Sequence, residues 1–364
     1  MQCASGKCKV RMVTEERFLL SVTKFNSTFQ SGDGAEQGGL ELGLICLLKD
    51  ISKFVMDIIK SADLAFEVNK AGSVVEKRLG TQLLKFIKVD VSEIKFREDL
   101  YRFEPYIDLA MRHIFKPELY KMPPVHLRGL RRVDAERFVN AFNKCVEGMR
   151  SEAGSKDFKA RLNRYQRSGN KNKKELDRYV DALFDRYSRL LVLRVDLSYR
   201  KEYSDISLER AVSDRARLFE NARANRLFAE MVGFIWKLEH GQDKGFHFHV
   251  MFFYDGSKVR QDGSIVQQIG RYWSEVVTKG KGMYFNCNVD KWRYKRCGIG
   301  MIAHDNWQLR GGLRDAVAYL TKADLYMQLK TTRRGMGKGL FPGVKDVRGR
   351  PRKAALASRV KLSL

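Results

Sequence analysis

The chain of 364 residues lacks several patterns that would fix its class at once. Its six cysteines, at 3, 8, 46, 145, 287 and 297, include no Cys-x-x-Cys. That spacing excludes a zinc ribbon or a disulfide framework and reads as reduced thiols in a cytoplasmic protein. Cys3 and Cys8 have no second pair nearby with which to complete a metal set. No Gly-x-x-x-x-Gly-Lys-[Ser/Thr] occurs, and the glycines at 335, 337 and 339 around Lys338 do not supply it, so no nucleotide-driven motor is expected. No apolar run reaches the length of a bilayer span. The longest, Leu40 to Ile59, is interrupted by Glu41, Lys49, Asp50, Lys53 and Asp57 and reads as an amphipathic helix. The N-terminus has no charged-then-apolar leader layout, so a membrane is not an expected partner. Proline is scarce. Three of the six lie at Pro117, Pro123 and Pro124, which marks Lys116 to His126 as a linker or sharp turn.

Acid is also short. Against 69 Lys and Arg stand 43 Asp and Glu, a formal net charge of +26. An excess of that size implies a polyanionic partner, and nucleic acid is the first candidate. Aromatics at 11% and an apolar fraction of 44% imply that most of the chain folds.

The pattern divides in two. Up to about residue 170 it is mainly helical, an accessory or DNA-binding region: Leu44, Leu48, Ile51, Val55 and Ile58 recur at helical steps, a second helix fits Leu100 to Phe115, and a third fits Asp134 to Met149. Gln30 to Gly39 reads as a polar loop, and 150–175, with its serines, glycines and lysine run, as a solvated junction. From 171 to 332 strands and helices mix. Strands fit Leu190 to Leu197, Met231 to His240, Phe246 to Tyr254, Met283 to Val289 and Gly298 to Ala303. Helices fit Glu175 to Arg189, a Ser207-capped run to Phe228, Ile265 to Val277 and Leu313 to Leu329. This order predicts an α+β domain, an antiparallel-centred sheet with helices on one face, preceded by the mainly helical N-terminal region. Residues 333–364 read as a basic tail.

Two features of the mixed region carry chemistry. In a strand, residues i and i+2 share a face, so His247 and His249 can reach one metal ion. If the apolar faces of the neighbouring strands coincide, Glu239 joins them, and two imidazoles with a carboxylate suit a divalent ion with open positions. His240 has the wrong parity unless the strand bulges. The same histidines also fit partly buried polar residues with no ligand. On the last helix, Tyr319 and Lys322 are one turn apart and can reach one phosphate. An ammonium and a metal-bound phosphate would favour the phenolate over the phenol. A surface tyrosine beside a solvated lysine fits the spacing equally. Trp273, Tyr284, Phe285 and Trp292 are available either to stack on unpaired bases or to pack a core.

The conjunction of Phe234-Ile235-Trp236-Lys237-Leu238-Glu239-His240, Gly245-Phe246-His247-Phe248-His249-Val250 and Tyr319-Leu320-Thr321-Lys322, in this order, resembles the HUH endonucleases. Within that superfamily it is most similar to inovirus-type replication initiators of filamentous phages and prophages. The resemblance covers about Leu190 to Lys330, with Val192 to Ser198 as its first motif. It implies an HUH/RRM-like nuclease domain over 171–332. Glu239, His247 and His249 would hold Mg²⁺ or Mn²⁺, Tyr319 would be the nucleophile and Lys322 its electrostatic helper. Tyr326, seven residues on, lacks the spacing of a two-tyrosine enzyme, although on a continuing helix it would share the stripe of Tyr319.

The activity implied is rolling-circle initiation. The enzyme would nick single-stranded or supercoiled origin DNA, form a 5′-phosphotyrosine and leave a 3′ hydroxyl for a host polymerase working with a host helicase, in the cytoplasm of a bacterial cell. A relaxase or single-strand transposase would use the same chemistry, and a catalytically inactive DNA-binding regulator would keep only the binding. In the tail, Arg348, Arg350, Arg352 and Lys353 around an Arg-Gly-Arg-Pro core resemble an AT-hook arm for the minor groove, or form a solvated tail.

Overall fold

The computed structural model describes residues 35–343, less 117–118, 120–126, 128, 242–243, 295 and 332. The AT-hook-like residues, Cys3, Cys8 and the three prolines of the expected linker lie outside the described residues. The chain divides into two compact units. One holds 35–173 and 321–332; the other holds 174–320 and the residues from 333 on.

The first unit is built mainly from helices: α1 (Ala35–Lys60), α2 (Arg78–Phe86), α3 (Ser92–Arg97), α4 (Pro105–His113), α5 (Arg132–Gly154) and the start of α6 (Lys156–Arg186). A hairpin of β1 (Phe66–Val68) and β2 (Val74–Glu76) joins them. Leu48, Ile51, Val55 and Ile58 of α1 are buried at the helical spacing visible in the sequence, against a core that includes Phe66, Phe138 and Phe142. The helix expected over Leu100 to Phe115 begins instead as a strand, β3 (Tyr101–Phe103), because Glu104 and Pro105 start the helix only afterwards. The Glu104 carboxylate accepts the Tyr106 N–H, and proline is tolerated at the first helical position.

The expected solvated junction at 150–175 is a helix. α6 runs unbroken for 31 residues through the lysine run. Ser155 caps it by accepting the Phe158 N–H, and a thin apolar stripe of Phe158, Leu162 and Tyr165 continues into Leu176, Tyr179, Val180 and Leu183. Lysine and arginine are good helix formers, so a charge-rich stretch with no proline needs only that stripe to stay helical.

The second unit is an antiparallel sheet. Its strands are β4 (Arg189–Tyr199), β5 (Met231–Gly241), β6 (Gly245–Asp255), β7 (Gly282–Asn286), β8 (Gly300–Ala303) and β10 (Met336–Lys338). The order is β10-β5-β6-β4-β7, with β8 also paired to β4. Between the strands lie α7 (Leu208–Asn221), α8 (Asp262–Arg271), which widens into a π-helical turn over Tyr272–Val277, and α9 (Trp307–Lys322). The Ser207 cap is present, its hydroxyl accepting the Arg210 N–H.

Helices cover both faces of this sheet, not one. On the first face Ile235, Met251 and Phe253 pack with Leu176, Tyr179 and Leu183 of α6 and Leu313, Val317 and Leu320 of α9. On the other, Phe252 meets Phe219 of α7, and Phe248 meets Trp273. The reason is readable after the fact: β6 is buried at every position from Gly245 to Tyr254, and a central strand buried on both faces reads as a continuous apolar run.

The elements after α9 depart from the helical pattern. The last helix stops at Lys322, and β9 (Met327–Leu329) pairs with β3 in the helical unit. Tyr326 therefore leaves the helical stripe of Tyr319. Its carbonyl accepts the Glu104 N–H beside that short ladder. The expected tail is also part of the fold at its start, since Met336–Lys338 forms an edge strand against Ile235–Lys237. No helix among the described residues is long and apolar enough to cross a membrane.

Candidate metal centre and tyrosine site

Strand pairing brings the site together. Glu239 of β5 lies directly opposite His247 of β6, and His249 lies between Lys237 of β5 and Asp196 of β4. Directly paired residues point to the same side of a sheet, so all five share the face on which α9 packs. The hairpin register depends on Gly245, which closes the turn against Gly241 with φ +59°. A Cβ there would lie 1.9 Å from the Ser204 carbonyl oxygen, so only glycine fits.

Glu239, His247 and His249 each offer a ligand atom within 4.8 Å of the others, and all three are buried. Each imidazole has its Nδ1 committed elsewhere. His247 Nδ1 donates to the Gly245 carbonyl at 3.1 Å, and His249 Nδ1 donates to the Asp196 carboxylate at 2.7 Å. Both Nε2 atoms turn to Glu239 Oε2, at 4.0 Å for His247 and 3.2 Å for His249. Such outer partners fix the tautomer and aim the free nitrogen, as in histidines that ligate metals. His249 Nε2 is buried and its near partner is the Glu239 carboxylate, so both imidazoles and the carboxylate converge on one point. The residues present suit a divalent ion held by two nitrogens and one oxygen.

The electrostatics agree. Burial alone would lower the His249 pKa, but the Asp196 and Glu239 carboxylates on either side outweigh it and push it up to about 10. Two flanking carboxylates thus favour an imidazolium at His249. Burial opposes ionisation of Glu239, yet His249 and His247 pull its pKa down to about 2. Burial and the His249 charge together lower His247 to about 4. Asp196 stays well below the usual carboxylate range; burial works against this, and His249 and Arg194 outweigh it.

Tyr319 enters through Arg194, a residue the sequence did not single out. The Arg194 guanidinium is buried, its Nε 3.7 Å from Asp196 Oδ1 and its centre 5.2 Å from the Tyr319 ring centroid. A cation over an aromatic ring is attracted to it. One chain of contacts therefore runs Tyr319, Arg194, Asp196, His249. Lys322 is apportioned to the helical unit. Its side chain is buried, its ammonium has no hydrogen-bond partner among the described residues, and burial lowers its pKa to about 8. His240, on the opposite parity, stacks edge-on against Phe246 and stays out of the group.

Of the four aromatics considered for stacking, Trp273 is core, its indole N–H donating to the Ser198 carbonyl. Tyr284 packs on Gly270, where a Cβ would come within 2.1 Å of its ring. Phe285 and Trp292 are exposed.

The family described as YagK/YfjJ C-terminal domain matches residues 153–337, just over half of the chain. The matched segment opens beside the start of α6 and ends within β10, so it takes in the whole site. No curated protein and no solved structure matches the chain.

Proposed function

The chain belongs to the YagK/YfjJ C-terminal domain family, and from the site that this domain carries we propose that it is an HUH-type, RRM-like nuclease, a metal-dependent DNA-nicking enzyme that initiates rolling-circle replication. The observation that supports this most is the contact chain from a two-histidine, one-carboxylate group through Asp196 and Arg194 to a tyrosine. A bound Mg²⁺ or Mn²⁺ would be held by Glu239, His247 and His249, and its chemistry there is to polarise a phosphoryl oxygen.

The protein's own groups do the rest. Asp196 and the Gly245 carbonyl keep the imidazoles in the ligating tautomer. Arg194 lowers the cost of negative charge on the Tyr319 oxygen and on the phosphate it meets. The Tyr319 Oη–P bond forms as the P–O3′ bond breaks. The phenolic proton passes to solvent, and the departing 3′ oxygen takes one up. The product is a 5′-phosphotyrosine and a free 3′ hydroxyl, and no nucleotide is consumed because the phosphodiester energy is kept in the covalent link. The substrate is single-stranded or supercoiled origin DNA, and the surplus of 26 positive charges makes its binding salt-dependent.

The test is incubation of the full chain with supercoiled DNA carrying the element's own origin, with Mn²⁺, followed by denaturing electrophoresis. A nicked product with protein covalently attached, lost with EDTA and with Tyr319→Phe, is the expected result. Nicking without an adduct would remove the tyrosine mechanism; binding without nicking would leave a DNA-binding regulator.

A further inference from the structure

Strand β7 carries the site's face one strand further. Asp196, which holds His249, is directly opposite Phe285, and Ser198 is directly opposite Met283. Phe285 and Met283 therefore stand on the same side of the sheet as Glu239, His247 and His249. Strands are about 4.8 Å apart, which puts Phe285 one strand from Asp196 and two from His249, on the order of a nucleotide's reach. Both side chains are exposed, Phe285 by 39% and Met283 by 47%, in a sheet otherwise apolar only where it is covered. On its outer side β7 has no neighbouring strand among the described residues.

Beside the start of β7 a basin of about 510 Å³ is lined by Arg200, Lys201 and Arg271 together with Met283 and Tyr284. Glu202 and Glu275 also line it, so cations outnumber anions there by one. Lys281 adds a further positive charge next to this end of β7, its ammonium 5.2 Å from the Tyr203 ring centroid. Met283 lines the basin and Phe285 stands two residues further along the same face, towards Asp196. Arg271 reaches the basin from the helix on the other face, round the β7 edge. An exposed ring and thioether between these cations and the Glu239–His247–His249 group match an unpaired nucleotide chain, since bases have flat apolar faces and the backbone is anionic. A peptide strand adding to the β7 edge would use its backbone groups but would have no need of the arginines.

We propose that Phe285, with Met283 beside it, is the platform on which a base next to the scissile phosphate stacks, and that Arg200, Lys201 and Arg271 hold the backbone of the same unpaired strand. This rests on the nicking reading for the identity of the strand, but the binding it describes needs neither metal nor cleavage.

The test uses the full chain in EDTA at moderate salt, with a fluorescein-labelled single-stranded 20-mer, and a parallel set in which 2-aminopurine occupies successive positions. Wild-type protein should quench 2-aminopurine at one or two adjacent positions. Phe285→Ala should lose that quenching and weaken binding by roughly tenfold, the size of one stacked base. Phe285→Trp should restore both. Phe285→Leu, which keeps apolar bulk, serves if the alanine variant unfolds and should still lose the quenching. Arg271→Ala should weaken binding and flatten its salt dependence without moving the quenched position. Unchanged quenching in Phe285→Ala and Phe285→Leu would overturn the platform even if wild-type protein forms the covalent adduct. Loss of quenching in a protein that never forms the adduct would keep the platform and overturn the nicking reading.

Discussion

Two buried glutamates, one in each unit, show what separates a site from an ordinary polar core. Glu104 in the helical unit accepts from the Ser52 hydroxyl at 3.1 Å and from the Tyr106 N–H at 3.2 Å. Both bonds serve local structure, and burial still pushes its pKa up to about 7. Glu239 in the sheet unit is a little more exposed, its side chain 12% accessible, yet two histidines keep it ionised. Each of those histidines is in turn held by a group behind it. A core polar residue is satisfied where it stands. In the sheet unit, polar groups from three strands converge on one point, where Glu239 Oε2 faces both imidazole Nε2 atoms. Retained charge and an outer layer of supports, more than burial, mark the second case.

The sharpest way to break this comparison is Tyr319→Phe. It removes one oxygen, should leave folding and DNA binding intact, and should abolish the covalent adduct; peptide mapping of the wild-type adduct should place the nucleotide on Tyr319 and not on Tyr326. Next is His247→Ala, which removes a ligand and should reduce nicking at limiting Mn²⁺ by at least about a hundredfold, with partial recovery at high metal concentration. Full activity in dilute metal would return the pair to an ordinary strand role.

Asp196→Asn keeps the shape of the support but not its charge. Titration calorimetry with Mn²⁺ should show affinity falling by about 10- to 100-fold. A variant that binds metal as tightly as wild type would mean that Asp196 does not orient His249.

Glu104→Gln probes the other side of the comparison. For an acid whose native pKa is raised from 4.5 to about 7, the folded state binds more protons than the unfolded state across that window. Stability therefore falls as pH rises from 4.5 through 7. Thermal melts of Glu104→Gln should lose most of this slope and exceed wild type at pH 8; an unchanged slope would mean that Glu104 is not its source. The smallest effect is expected from Lys322→Met. It removes a buried ammonium that has no hydrogen bond among the described residues, so stability should rise slightly and adduct formation should stay within a few-fold. A loss of adduct formation of about a hundredfold or more would instead give Lys322 the helper role that the resemblance implies.

The meeting of Glu239, His247 and His249 on one face was legible because it depends on short-range rules. His247 and His249 share a face by strand periodicity, and a tight turn between Gly241 and Gly245 brings Glu239 opposite His247. Asp196 and Arg194 were not legible as supports. Their place depends on how β4 registers against β6, more than 50 residues later, and no local pattern encodes that. The long α6 was hidden because serines, glycines and lysines look like a junction until Phe158, Leu162 and Tyr165 are counted on one face. Tyr326 was misplaced because the helical pattern does not itself stop at Lys322. A non-local ladder with Tyr101–Phe103 captures the residues that follow.

The chain leaves the sheet unit after Leu320, pairs Met327–Leu329 with a strand some 220 residues upstream, and only then returns as β10. During synthesis the β5 edge consequently emerges without its neighbour. Until Met336–Lys338 leaves the ribosome, the backbone of Ile235–Lys237 presents unpaired donors and acceptors, the kind of open edge that recruits another chain. A product terminated near residue 330 would contain every proposed ligand and the tyrosine, and would still expose a template for aggregation. The last short strand among the described residues, which touches none of the proposed ligands, is therefore what makes the finished protein safe to accumulate.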